Sequence, residues 1–546
     1  MNRHAIQHIV DSSYCFPINT KQITLRLRTA KNDVQRVWVI YESKYVIADR
    51  QQKAELTRKF RGSIYDYYSV TLDLTDTRIG YVFYIYDGKE YYFFSEDGLT
   101  RTYDYSMGYY NFFQYPYINE ADILKRVSWT EKAVFYQIFV DRFNIGDREA
   151  DKSYVNCQWG DIPNPKTFAG GDLKGITEKL DYIKGLGANT IYLTPVFKSI
   201  SNHKYDISDY MQVDEQFGTN EDLRELIQDA HKKGMRIVLD AVFNHCSDEL
   251  MQFQDVKEKG RESEYYDWFV IHGDKPEAKN YEMFASCEYM PKFNTSNTEV
   301  QEYLCNIGVY YISKYDIDGW RLDVSDEVSH DFWRRFRKAV KEVKEDCIII
   351  GENWHDASNY LKGDQYDSIM NYAFTKACLD YFATGELGAA GMADKLNDLL
   401  ARNTDTVNGM LLNLLDSHDT HRFFSEVKKS REKMAAALAL LFIFPGIPCI
   451  FYGTEFFMEG GYDPDCRRCM DWEGYTEGRY EESVELIRLF ANLRKEYELS
   501  SMDTVIRAEG KVLIVERMNN DVKLTLSVNM TENSDEFGYD LDIERR

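Results

Sequence analysis

Gly319-Trp320-Arg321-Leu322-Asp323 closes an apolar run that begins just before Asp318. An Arg two residues ahead of a carboxylate puts both side chains on one face of a strand. A cation there favours the ionised acid and lowers its pKa. Such a carboxylate is either a nucleophile or half of an ion pair, and its company separates the two. Asp240, Glu352 and Asp419 also sit at the ends of apolar, strand-like runs, with His245 and His418 beside two of them. Carboxylates converging with neutral donors, and no Lys cluster nearby, suit acetal chemistry. Retaining glycosidases need one ionised carboxylate as nucleophile and one protonated carboxylic acid as proton donor. Arg321 would keep Asp323 ionised. Glu352 follows Ile348-Ile349-Ile350-Gly351, so its root is apolar. Desolvation raises a carboxyl pKa, which suits a general acid. Taken singly, Glu352 reads equally well as a buried, paired carboxylate.

The elements that must carry these residues are legible as eight short apolar runs: 133–139, 190–197, 236–243, 317–324, 347–351, 368–374, 410–416 and 447–453. Near-continuous apolar strands are what a parallel sheet buried on both faces needs. Helical patterns lie between several of them. Ile176, Leu180 and Ile183 recur at helical spacing. So do Leu223, Ile227 and Ala230, after a capping Thr219 or Asn220, and Phe332, Phe336, Val340 and Val343. The fold class expected is α/β, a (β/α)8 TIM barrel over 123–500, with active residues at the C-terminal ends of the strands. The gap between the third and fourth runs is the longest, and 246–298 reads as an inserted lobe over the barrel mouth.

Residues 1–122 read differently. Segments 23–28 and 34–41 alternate apolar and polar, and aromatic runs at 81–86 and 91–94 flank Asp87-Gly88, a hairpin signal. An N-terminal β-sandwich is expected. Segments 512–516 and 522–528 surround Asn519-Asn520 as two strands, so 501–546 reads as a short C-terminal β domain. Two or three strands are not stable alone, so it must pack on the barrel.

Composition narrows the partners. Eight Trp, 41 Tyr and 31 Phe make 15% aromatic residues, and Tyr suits stacking on sugars or bases as well as core packing. A net charge of −24 repels phosphate backbones and anionic membranes, so neither nucleic acid nor membrane is expected as a partner. The start has no apolar h-region, and ten Cys are scattered without a disulfide-framework spacing, which suggests a reducing cytoplasm. Cys466 and Cys469 form a lone CxxC, weak for zinc and more simply incidental. Segment 434–452 carries no charge and reaches transmembrane length, but Pro445, Gly446 and Pro448 break it. A buried helix followed by a buried strand is the better reading.

Four ordered stretches carry a resemblance: Asp240-Ala-Val-Phe-Asn-His245, Gly319-Trp-Arg-Leu-Asp323, Gly351-Glu-Asn-Trp354 and Ser417-His-Asp-Thr420. In order and spacing they resemble the short motifs of the α-amylase family, glycoside hydrolase family 13. The resemblance implies Asp323 as nucleophile, Glu352 as general acid/base and Asp419 as transition-state stabiliser. It also implies that Arg321, His245 and His418 bind the sugar at the cleaved bond. Met290-Pro-Lys-Phe-Asn294 resembles the extra motif of neopullulanases, cyclomaltodextrinases and maltogenic amylases. Tyr136-Gln-Ile-Phe139 with Asp141-Arg-Phe143, and Asn202-His-Lys-Tyr-Asp206, are similar to the same group. Tyr205 would then stack on the −1 sugar; the plainer alternative is a wall residue of the barrel mouth. Asp463 and Arg467 match a pair that contacts sugars further from the cut, or else form a surface-loop ion pair. The N-terminal sandwich resembles the starch-binding-type module of these enzymes. In the group it often builds a homodimer that covers the site and favours small or cyclic substrates.

Three places depart from the group. Val324-Ser-Asp-Glu327 stands where Val-Ala-Asn-Glu is common, which leaves the balance of α-1,4 against α-1,6 cleavage open. Cys469 stands in place of a Pro, and the C-terminal domain is short. Asp147, Asp151 and Asp172, with the Gly170 carbonyl, could supply oxygen ligands for a hard cation, and the resemblance implies calcium there in some members. The alternative is a solvated acidic loop. No organic cofactor is expected. The function implied is hydrolysis of cyclodextrins, pullulan and short maltooligosaccharides, with some transglycosylation. An α-glucosidase or starch-acting amylase of the same family is the alternative. A non-catalytic glycan binder is a remote one, since the three catalytic carboxylates are all present.

Overall fold

The computed structural model describes residues 1–277, 279–531 and 538–546. Eight parallel strands build the centre: β1 (Phe135–Ile138), β2 (Thr190–Leu193), β3 (Arg236–Ala241), β4 (Gly319–Leu322), β5 (Ile348–Gly351), β6 (Ser368–Ile369), β7 (Leu412–Leu414) and β8 (Ile447–Phe451). Their order is β6-β5-β4-β3-β2-β1-β8-β7, and a parallel bridge from Met370 to Leu412 closes the ring. Every residue of β1, β2, β4 and β5 is buried, as strands covered on both faces must be. Phe135, Val238, Ile348, Ile350, Leu412 and Leu414 pack together inside the ring. Each such side chain contributes about 2 kcal/mol by leaving water.

Two glycines leave room for close packing at the central strands. A Cβ on Gly319 would lie 2.4 Å from Ile348 Cγ2, and one on Gly351 2.5 Å from the Tyr366 ring. Register then does the positioning. Asp240 pairs with Arg321, and Leu322 with Gly351. The ladder runs on one step, with Asp323 N–H donating to Ala241 O at 3.0 Å and Glu352 N–H to Leu322 O at 2.9 Å. Asp323 and Glu352 therefore leave neighbouring strand ends at the same level.

The expected helices are present, with one interruption. Helix Asn220–Lys232 starts at a capping box between Thr219 and Asp222. Helix His330–Val343 buries Phe332, Trp333, Phe336 and Val340. The Ile176, Leu180 and Ile183 pattern is split into Leu173–Glu178 and Leu180–Gly185. The uncharged stretch is helix Arg431–Ile443 followed by β8. Among the described residues, no helix is long and apolar enough to cross a membrane. The run 368–374 is strand only at β6, because Asn371 caps a helix Tyr372–Cys378 by accepting the Phe374 N–H.

Nine N-terminal strands form one antiparallel sheet that doubles over. Strand Gln52–Arg61 pairs with Arg36–Glu42 through its first half and with Tyr65–Asp73 through its second. The two halves enclose one core of Leu25, Leu27 and Leu72 against Val37, Val39 and Ile85. Strands Ile79–Tyr86 and Tyr91–Ser95 form the hairpin around Asp87-Gly88. The sheet is fixed to the barrel by buried Arg26, which donates to Asn403 O at 2.7 Å and pairs with Asp405 at 2.6 Å.

The C-terminal sheet has four strands rather than two: Asp503–Glu509, Val512–Met518, Val522–Asn529 and Gly538–Arg545. It packs on the barrel, where Asn397 donates to Ile506 O at 3.0 Å and Arg517 to Ile443 O at 2.6 Å.

Candidate active site

Arg321, buried in β4, is the hub. Its Nη1 lies 2.8 Å from Asp323 Oδ1 and 3.1 Å from both carboxylate oxygens of Asp240. Nη2 lies 2.9 Å from Glu352 Oε2, an ion pair off the axis of a hydrogen bond, and 4.0 Å from Asp419 Oδ2. Nη2 thus has no hydrogen-bond acceptor among the described residues.

One guanidinium cannot neutralise four carboxylates. Burial pushes the Asp323 carboxyl well above the usual range; Arg321 opposes the rise, and Glu352, Asp240 and Asp419 add to it. Burial likewise raises Asp240 to about 6 against the pull of Arg321 and the hydroxyls of Tyr192 and Tyr205. Arg321 lowers the pKa of Asp323 as expected, but the net shift is upward. The ion pair exists, but its single charge is divided among neighbours, and desolvation wins.

Neutral donors surround the cluster. Gln137 Nε2 donates to His418 Nδ1 at 2.7 Å, which assigns the proton of that ring to Nε2. His418 Nε2 lies 2.6 Å from the Tyr205 hydroxyl and 3.1 Å from Asp419 Oδ2, and Tyr205 donates on to Asp240 Oδ2 at 3.0 Å. The Tyr205 and His418 rings are parallel within 4°. Burial, helped by Arg467 and Arg321, holds His418 well below its ordinary pKa, so the ring is neutral. Burial and nearby Lys292 push His245 down to about 3, and its Nε2 has no hydrogen-bonding partner among the described residues. Asp463 and Arg467 pair at 2.9 Å, and Arg467 reaches back to Asp419 at 3.4 Å and to His418 O at 2.8 Å.

The family model described as "Alpha amylase, catalytic domain" matches residues 137–498, and "Alpha amylase, N-terminal ig-like domain" matches 1–119. The chain belongs to the α-amylase family. It is 44% identical to a cyclomaltodextrinase of Thermoanaerobacter pseudethanolicus over 87% of this chain and 83% of that protein. It is 40% identical to an intracellular maltogenic amylase of Bacillus subtilis, over 91% and 85%. A solved cyclomaltodextrinase superposes with a TM-score of 0.92 at 34% identity, covering 97% of this chain and 91% of that one. The chain is accordingly a glycoside hydrolase on a (β/α)8 barrel.

Within this α-amylase-family site the lobe motif has a clear place. Lys292 donates to Asn244 Oδ1, beside His245, and to Glu327 O at 3.1 Å. Phe293 N–H donates to Asn244 O at 3.0 Å. Lys292, Asn294, Asp326, Glu327 and His330 line one groove. The 202–206 motif acts as a brace: Asn202 donates to Thr167 O at 2.7 Å and Asp206 accepts from Ser199 at 2.6 Å, holding Tyr205 between them.

Three contributors went unassigned in the sequence. Asp240 was visible as a strand-end carboxylate, and only the β3–β4 register reveals that it takes much of Arg321. Trp354, half exposed, stacks on Tyr372 with centroids 3.7 Å apart and donates from Nε1 to Glu352 Oε1 at 3.1 Å. Val324, at φ 45°, donates its N–H to Glu352 Oε2 at 2.9 Å. Trp354 had a signal, an aromatic two residues after a strand-end acid; Val324 had none.

The four candidate calcium ligands do not form a cation cage. Asp147 pairs with Lys174 at 2.5 Å, and Asp151 is exposed and accepts the Ser153 N–H at 2.9 Å. Asp172 accepts Gly175 and Gly146 N–H on Oδ1, and Asp147 N–H on Oδ2. Lys152 Nζ lies 3.0 Å from Gly170 O and 2.9 Å from Asp172 Oδ2. An ammonium thus holds the oxygens a metal would need. Among the described residues, no group of three or more His, Cys, Asp or Glu could hold a metal. The expected calcium set is corrected on this ground.

Proposed function

We propose that the chain is a retaining α-glucan hydrolase acting on α-1,4 bonds of cyclodextrins, pullulan and short maltooligosaccharides, with some α-1,6 cleavage and transfer to sugar acceptors. The observation that carries this reading is the single Arg321 fork between Asp323 and Glu352. Asp323 attacks the anomeric carbon while Glu352 gives its proton to the departing glycosidic oxygen. The C–O bond breaks, and a glycosyl ester to Asp323 forms. Glu352, now a carboxylate, takes a proton from water, whose oxygen attacks the same carbon and frees Asp323. Two inversions return the α configuration. The cluster must hold one proton to begin, and four carboxylates against one guanidinium favour that state. Asp419 stabilises the oxocarbenium-like charge. Arg321, His245, His418 and Tyr205 hold the −1 sugar, and Asp463 with Arg467 contacts sugars further out. The reaction draws on side chains and water alone, with no organic cofactor.

The names of the relatives and the Lys292 connection between lobe and site support small or cyclic substrates. We divide the chain into a sandwich over 1–122, a barrel over 123–500 and a C-terminal sheet over 501–546. A homodimer through the N-terminal sheet is part of this reading, supported by exposed Met107, Tyr109 and Tyr110 in one short turn. A cytoplasmic site of action is supported by ten free Cys.

The test is parallel incubation with β-cyclodextrin, pullulan and soluble starch beside an Asp323→Asn control, with products identified. Rapid opening of cyclodextrin and slow attack on starch supports the proposal. Fast starch attack with untouched cyclodextrin would replace it with a starch-acting amylase.

A further inference from the structure

Lys152 stands in the loop between β1 and helix Leu173–Glu178, and its side chain turns inward. Its ammonium bridges Gly170 O at 3.0 Å and Asp172 Oδ2 at 2.9 Å, with the Tyr154 hydroxyl 3.4 Å away. Asp172 is buried, while Lys152 is 21% exposed. A buried carboxylate needs a partner. Here one acid meets one monovalent cation, and the three backbone N–H groups on Asp172 satisfy its remaining lone pairs.

The bridge leads to the active site. Gly170 and Ala169 donate their N–H groups to the Asp141 carboxylate. Asp141 pairs with Arg142 at 2.6 Å, Arg142 donates to Arg467 O at 3.0 Å, and Arg467 reaches Asp419. A cation on Gly170 and Asp172 therefore braces the loop that supports one wall of the site.

We infer that the Lys152 ammonium is a covalently attached substitute for a divalent cation at Gly170 and Asp172, so that this chain folds without calcium. A tethered cation is present at fixed stoichiometry and cannot be chelated. A hard divalent ion prefers six or more oxygens. At this place it would have to displace the ammonium and recruit Asp147 away from Lys174.

The test reads metal content and thermal unfolding, not activity. The full-length protein, desalted and assayed by atomic emission, should carry no stoichiometric calcium. Its melting temperature should be the same in EDTA and in millimolar CaCl2. Lys152→Ala should melt lower than wild type in EDTA, and CaCl2 should raise it by about 2 °C or more, as a weak ligand binding only the folded state does. Lys152→Gln, which keeps the side chain's bulk and loses the charge, serves if the alanine variant does not fold. One calcium per chain in the wild type, a wild-type melting temperature lowered by EDTA, or variants indifferent to calcium would each overturn the inference.

Discussion

The Val324 N–H donates to Oε2 of Glu352 across 2.9 Å, from a residue held at φ 45° and ψ 42°. Val is β-branched, and the left-handed region costs such a residue about 1–2 kcal/mol or more. The strain lies one residue past Asp323, where the chain leaves β4 to aim an N–H at the neighbouring strand end. Strained backbone of this kind persists where the surroundings over-determine it.

Val324→Gly should separate stability from activity. Glycine occupies this region freely, so the melting temperature should hold or rise despite the loss of a half-buried side chain. The N–H is then less rigidly aimed, and kcat should fall. Thermal unfolding beside steady-state kinetics checks both. A large drop in melting temperature with unchanged kcat would show that the side chain, not the backbone direction, is what matters there.

Asp323→Asn should make the protein more stable in a pH-dependent way. The folded carboxyl titrates well above its usual value of 3.8, so ionising it costs more in the folded than in the unfolded protein. That cost is absent below the unfolded value and grows as pH rises above it. The variant should therefore melt above wild type at neutral pH, with the gap closing toward pH 4. A gap that is constant or widens toward acid would contradict the burial argument.

Trp354→Phe keeps a ring to stack on Tyr372 and removes the N–H that reaches Glu352 Oε1. That donor favours the carboxylate left after proton transfer to the leaving group. Half exposure lets water compete, so the bond is worth about 1 kcal/mol rather than the larger value of a fully buried charged pair. We expect kcat about fivefold to tenfold lower, KM little changed and the melting temperature the same. Steady-state kinetics decide, and an unchanged kcat would remove Trp354 from the acid step.

The barrel and its acids were legible because they depend on short-range patterns. Asp323 and Glu352 each follow a four-residue buried strand, and register does the rest. What escaped depends on contacts far apart in sequence. Lys152 is an ordinary loop lysine until the fold sets it against Asp172. Arg321 reads as the partner of Asp323, and only the β3–β4 register reveals the claim of Asp240 on it. The strand Gly538–Arg545 alternates, but its Asp and Glu face outward and weaken the apolar signal. At 368–374 apolar content suggested a longer strand, while Asn371 already marked the start of a helix.

A double displacement by Asp323 and Glu352 fixes the anomer of the released sugar. Proton NMR of the first sugar released from a maltooligosaccharide, recorded faster than mutarotation, tests it most directly. The α anomer should appear first, and the β anomer should grow in only as the sugar equilibrates. A β anomer formed first would mean a single displacement by water, and Asp323 could not be the nucleophile.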